Sequence, residues 1–340
     1  MPRVLIARLD SVGDVLLSGP AVRAVRERSE HIVYLCGERG HAAARLLPGV
    51  DQIVVRTAEW IDPEPADVVP RRIQQFVSEL EALELDQAII VTSFHQSPLP
   101  LALLLRMAGV PVIAAISEDY PGSLLDVRCQ IDDDRHEVER SLSLVAALGY
   151  HLPAGDDRAL RLRALPDVSP LLPGAEEPFI VLHPGASVPA RSWDPVKMRE
   201  LQRVLTGRGH HVAVTGGPHE SGLSRFVAEG NLDLGGRTDL AGLASVLHRA
   251  QVVVAANTGP AHLAAAVGTP VVSIFAPTVP HGRWRPWGVP HVLLGDLTVD
   301  CAGCRAEICP VPGHPCVDDL VPGHVADAVE SLLPLECGRP

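Results

Sequence analysis

Aromatic residues make up only 4% of the chain, so its cores must rest on Leu, Val, Ile and Ala. Lysine is almost missing. Lys197 stands alone among 29 basic side chains, which with abundant Ala, Gly and Pro reads as a composition bias and not as a functional signal. Positive charge is in deficit, at a formal net charge of −12. That argues against nucleic acid as a partner and leaves at most a local, peripheral membrane contact. Long hydrophobic runs are absent too: Leu99–Ile116 carries Arg106 and is broken by Gly109 and Pro111, so it reads as a helix followed by a strand. The opening MPRVLIARLD holds too short an apolar stretch for a signal peptide, and a cytoplasmic protein is the expectation. In that compartment seven cysteines are reduced thiols or metal ligands before they are disulfides. No G-x-G-x-x-G occurs, which counts against an NAD enzyme.

What is present alternates. At 340 residues and 46% hydrophobic composition the chain can fill two cores. Arg3–Leu9 reads as a buried strand running through Asp10–Asp14 into the helical pattern VLLSGPAVRAVRER. Strands follow at His31–Cys36, Gln52–Val55, Gln87–Thr92 and Val110–Ile116, with helices at Arg39–Leu47, Arg71–Leu83, Pro98–Met107 and Glu137–Leu148. A stretch rich in Pro, Gly and charge, Pro153 to Pro178, separates this half from a second that restarts the pattern. In the second half the strands are Phe179–Leu182, His211–Thr215, Val252–Ala256 and Pro270–Phe275, and an amphipathic helix spans Val321–Leu333. The runs VVVAA and VVSIF show no alternation, as expected of parallel strands covered on both faces. Between them Thr258 suits an N-cap, Pro260 the first helical turn and Gly268 the position after the helix.

Four segments fall at expected carboxyl ends of strands: Asp10–Asp14, His183–Ser187 with Arg191, Gly216–Glu220 and Asn257–His262. Ligands bind at that edge of open α/β sheets, and helix N-termini there favour anions such as a diphosphate. At these segments the chain resembles the glycosyltransferase family 9 heptosyltransferases. The resemblance rests on RVLIARLDSVGDVLLSGPAVRAVR, VLHPGASVPARSWDPVKMREL, VTGGPHE and NTGPAHLAAAVGTPVVSIFAPT, with the spacing CAGCRAEIC…C as a further likeness.

The resemblance implies an α/β protein of GT-B fold, with two Rossmann-like domains facing an interdomain cleft. Residues 1–165 would be the acceptor-side domain and 166–340 the donor-binding domain, the C-terminal helix being free to pack back on the first. It implies inverting transfer of a heptose-type sugar from a nucleotide-diphosphate sugar, usually ADP-heptose, to the hydroxyl of the lipopolysaccharide core, another glycan or glycolipid, or a small molecule. Asp14 falls on the family's proposed base, with Ser11 and Gly13 in the same acceptor-side loop; as a residue type alone Asp14 also suits a helix N-terminus. Ser187 and Arg191 fall where the family contacts donor phosphates, Arg191 replacing a frequent Lys. Glu220 resembles the residue holding the ribose hydroxyls, and otherwise is an acid in a first turn. Thr258 and Gly259 would face the diphosphate. His262 matches a family histidine or is a packing residue. Asn257 stands where the family commonly has Asp, so it can bond a sugar hydroxyl but carries no charge.

This chemistry requires no cofactor. The gaps among Cys301, Cys304, Cys309 and Cys316 nevertheless suit a structural zinc or iron–sulfur cluster, or else reduced thiols in a loop. The competing functions are a GT-B-fold nucleotide-sugar epimerase and a non-catalytic nucleotide-sugar-binding protein. A monomer is the default expectation.

Overall fold

The computed structural model describes residues 1–93, 96–132, 134–172 and 177–334. The chain divides into two units, Met1–Arg163 and Ala164–Pro340. The first contains β1 (Arg3–Arg8), α1 (Val12–Leu17), α2 (Gly19–Arg26), β2 (His31–Cys36), α3 (Glu38–Ala44), β3 (Gln52–Val55), α4 (Pro70–Glu81), β4 (Gln87–Ile90), α5 (Leu99–Met107), β5 (Val112–Ile116), β6 (Val127–Cys129) and α6 (Glu137–Ala146). Its six strands are all parallel, in the order β3-β2-β1-β4-β5-β6.

The second unit contains β7 (Phe179–His183), α7 (Pro195–Gly207), β8 (His211–Val214), α8 (Ser221–Ala228), β9 (Leu232–Asp233), α9 (Leu240–Arg249), β10 (Val252–Ala256), α10 (Gly259–Ala266), β11 (Val271–Ile274), α11 (His281–Trp284), β12 (His291–Leu294), α12 (Pro315–Asp318) and α13 (Pro322–Leu332). Its sheet is also parallel throughout, in the order β12-β11-β10-β7-β8-β9. Counted from each unit's own first strand, both sheets have the doubly wound order 3-2-1-4-5-6. Strand order reverses between β1 and β4 in one and between β7 and β10 in the other. Those two points are where such sheets bind ligands.

Covering helices explain the strand compositions. Every residue of β7 and β10 is buried. In the first unit Leu5, Ala7, Leu35, Ile90 and Ile113 pack against Phe76 and Leu80 of α4 and Leu101 and Leu105 of α5. In the second, Ile180, Val214, Val254 and Ile274 pack with Leu201 and Leu205 of α7. Val325, Ala326 and Val329 of α13 join this same cluster, so the last helix contributes to the second unit's own core. The sequence had left it free to pack back on the first domain.

The helical pattern expected after Asp14 is broken in two. Ser18 ends α1, and α2 restarts with Gly19-Pro20, since a proline ring supplies no backbone donor and suits only a first turn. No helix among the described residues is long and apolar enough to cross a membrane.

Candidate active site

In the first unit the site forms at the switch point, where β1 turns into α1. Gly40 of α3 lets the β2 side close on this turn. A β-carbon there would stand 2.7 Å from Val15 Cγ2 and 3.0 Å from the Asp10 carbonyl oxygen. Asp14 sits in the first turn of α1, with Ser11 at the N-cap and Gly13 buried. Ser11 does not cap the helix with its side chain. Its hydroxyl donates to Asp14 Oδ2 at 2.9 Å, while Arg8 Nη2 donates to Oδ1 at 2.8 Å.

Arg8, the last residue of β1, is 1% exposed and is the hub of this cluster. Besides Asp14 it meets Asp10 through Nε (2.7 Å, an ion pair not aligned as a hydrogen bond) and Glu137 through Nη1 (3.0 Å). Burial alone would lower its pKa, but the three carboxylates outweigh that and hold it above the usual arginine value. Glu137 Oε1 lies 3.6 Å from Arg140 Nε. Gln96, in the loop after β4, donates to Asp10 Oδ1.

Burial pushes the Asp10 carboxyl up to about 6. Arg8 and the Gln96 amide pull it down, while Asp14 and Glu137 push it further up. The folded protein therefore holds this proton more tightly than the unfolded chain, whose Asp titrates near ~4. The stability this proton brings is present below that value and is lost as pH rises through about 6. Asp10→Asn should accordingly gain stability on the unaltered protein, by about 2 kcal/mol, as pH goes from 4.5 to 7.5. Thermal melts of both proteins across that range would show it. A difference independent of pH would contradict the buried titration.

In the second unit the site forms at the corresponding switch point. His183, at the end of β7, is buried; its Nδ1 lies 3.0 Å from Thr215 Oγ1 and its Nε2 3.8 Å from Glu220 Oε2. Burial lowers the His183 pKa against the pull of Glu220, so the ring is neutral at physiological pH. Glu220 Oε2 also accepts from Gly217 N at 2.6 Å. Gly185 lies beneath it, and a β-carbon there would displace the Glu220 carboxylate.

Across the switch, Arg191 ends a 3-10 turn and reaches the β10–α10 loop. Its Nε donates to Thr278 Oγ1 at 3.2 Å and its Nη1 to the Asn257 carbonyl at 3.4 Å. Asn257 is buried. Its Nδ2 donates to the Ala276 carbonyl at 3.2 Å, and its Oδ1 has no hydrogen-bond partner. An aspartate could not make the Ala276 bond, so this pocket is built for an amide. Thr258 takes the N-cap position expected of it, yet its hydroxyl makes no cap hydrogen bond and instead lies 3.5 Å from the Ala256 carbonyl. Gly259 opens α10 and Gly268 follows its end at φ +82°. His262 is buried in α10, and Ser187 is exposed on the loop after β7.

Arg191, Asn257 and Thr258 thus come together, and Glu220 joins His183 and Gly217. Sequence reading missed Arg8, Gln96, Glu137, Thr215 and Thr278, and it placed His183 in a candidate segment without giving it a role. A charged residue at the end of a fully apolar strand is itself a signal for Arg8, because a buried cation demands carboxylate partners.

Cys301, Cys304, Cys309 and Cys316 do line one small cavity of 20 Å³, with His314 and Thr278 in its wall. Burial and the neighbouring thiols raise Cys316 to about 11, and Cys309 Sγ donates to the Val311 carbonyl. Among the described residues, however, no three His, Cys, Asp or Glu side chains are placed to hold a metal ion. Cys36 and Cys129 lie in the first unit, and Cys337 lies outside the described residues.

Two units, each built on a six-stranded parallel sheet of doubly wound order, give the two-domain α/β architecture of GT-B proteins. The model of glycosyltransferase family 9 (heptosyltransferase) matches residues 74–314. Lipopolysaccharide heptosyltransferase 1 of Pseudomonas aeruginosa is 30% identical over 337 residues, covering 90% of this chain and 87% of that protein. The chain belongs to glycosyltransferase family 9. Among solved structures, a family 9 glycosyltransferase from Veillonella parvula superposes with a TM-score of 0.75 at 17% identity, covering 97% of each chain. The E. coli ADP-heptose lps heptosyltransferase II gives 0.72 at 19%, covering 97% of this chain and 98% of that one. Both share its fold.

Proposed function

We propose that the protein is an inverting glycosyltransferase that moves a heptose-type sugar from ADP-heptose to an acceptor hydroxyl of the lipopolysaccharide core. The observation that carries this reading is Asp14: a carboxylate at a switch point, oriented at both oxygens and the most exposed of the three around Arg8. In the proposed reaction Asp14 takes the acceptor proton as the hydroxyl oxygen attacks the anomeric carbon. The bond from that carbon to the diphosphate breaks, and ADP leaves with the electron pair. Arg191, with Ser187 and the N–H and hydroxyl groups of Thr258 and Gly259, stabilises the leaving diphosphate in place of a metal ion, so no cofactor is part of this reading.

Glu220 accepts from the ribose hydroxyls, beside the neutral His183. Asn257 accepts a sugar hydroxyl at its unpartnered Oδ1, and His262 supports the loop from within α10. Ser11 and Gly13 border the acceptor. The protein works as a cytoplasmic monomer, with peripheral contact at the membrane that carries its acceptor. The names of its relatives favour transfer over an epimerase or a binding protein.

Calorimetry with ADP, UDP, GDP and dTDP tests the donor half without knowledge of the acceptor. Selective ADP binding is expected. Binding of none of the four would remove the donor-site assignment.

A further inference from the structure

We infer that Glu137 is a positioning residue for transfer: it anchors Arg8, and Arg8 in turn holds the Asp14 carboxylate toward the acceptor hydroxyl. The inference rests on the reading of Asp14 as the base.

The three carboxylates around Arg8 are not equivalent. Asp10 and Asp14 lie two and six residues beyond Arg8, on the turn that Arg8 itself must hold. Glu137, alone of the three, lies outside that turn, 129 residues away on α6. It is 2% exposed and stands in the first turn of α6, where the helix dipole favours a carboxylate. Arg140 lies one turn on from Glu137, and its Nη1 donates to the carbonyls of Ile131 (2.9 Å) and Asp132 (2.8 Å).

The result is a continuous chain: the 131–132 backbone, Arg140, Glu137, Arg8, Asp14 and Ser11. Side-chain exposure is 6% at Arg140, 2% at Glu137 and 1% at Arg8, then rises to 17% at Asp14. Of the charged side chains that link Arg140 to Ser11, Asp14 is the most exposed. Stability alone does not account for such a network, because a buried ion set often costs as much in desolvation as it returns. Fixing a reacting group does account for it, since a displacement of about 1 Å at a base can cost ~100-fold in rate.

The test is steady-state kinetics of Glu137→Leu and Glu137→Gln with saturating ADP-heptose and acceptor, beside circular-dichroism melts. Leu fills the space but accepts nothing from Arg8; Gln keeps an oxygen for Arg8 Nη1. The Leu variant should lose about 10- to 100-fold in kcat with KM for both substrates within twofold. The Gln variant should recover most of that loss. If the Leu variant does not fold, Glu137→Asp replaces it, with its carboxylate drawn back by one methylene and an expected kcat loss of roughly 3- to 10-fold at unchanged KM.

Full kcat in a folded Leu or Asp variant would overturn the inference. So would a joint change of kcat and KM that Gln does not restore. Asp14→Asn separates the two failures. An inactive Asp14→Asn beside a fully active Glu137→Leu removes only the role of Glu137, whereas an active Asp14→Asn removes the base assignment beneath it.

Discussion

Replacing Asp14 by Asn should lower kcat by about 10²- to 10⁴-fold while leaving ADP affinity unchanged. That is the range by which a positioned general base accelerates proton transfer. The substitution is a clean one here because Asn has nearly the shape of Asp. Its oxygen can still accept from Arg8 Nη2, and its amide can donate to the Ser11 hydroxyl, which now accepts instead of donating. What disappears is the ability to take a proton. Arg8 keeps Asp10 and Glu137, so the buried cation is not left uncompensated and loss of folding need not follow. A kcat within a few-fold of the unaltered protein would remove Asp14 from the reaction.

Arg191→Ala should weaken ADP binding by about 10- to 100-fold, the equivalent of ~1.5–3 kcal/mol for charge-assisted hydrogen bonds to a phosphate. The guanidinium is already directed at the β10–α10 loop by Thr278 Oγ1 and the Asn257 carbonyl, so little rotamer entropy remains to be lost on binding. Arg191→Lys should fall between the two. Lysine restores the charge, but as a point cation it cannot bond Thr278, the loop carbonyl and the diphosphate together. kcat should fall as well, because charge on the leaving diphosphate grows in the transition state. Calorimetry measures the first effect and saturating-donor kinetics the second. An unchanged ADP affinity in the Ala variant would place the diphosphate elsewhere.

Much of this architecture is legible in the sequence, and the exceptions have physical causes. Strands buried on both faces announce themselves as unbroken apolar runs, as in β7, β10 and β11. The sequence reading did not include β6, β9 or β12: they are two to four residues long, and no residue in them is fully buried, so the apolar signal is weak. The candidate residues were found because they follow strands in turns with helix-start chemistry, a local pattern. Their partners were not, because Arg8 and Glu137 are 129 residues apart and Arg191 and Thr278 are 87 apart, and only the parallel sheets bring them together. Thr258 shows a finer limit: its type and position fit an N-cap, but its hydroxyl faces the Ala256 carbonyl. The four cysteines show a local pattern that the fold does gather, since all four line one small cavity.

The most direct test of sugar transfer is release of ADP from ADP-heptose by the purified protein, with and without a lipopolysaccharide inner-core acceptor, the anomeric configuration of the product being read by NMR. The expected result is ADP formed only when acceptor is present, in step with a glycoside of inverted configuration. Equal release without acceptor, or a sugar nucleotide altered with no acceptor consumed, would contradict it.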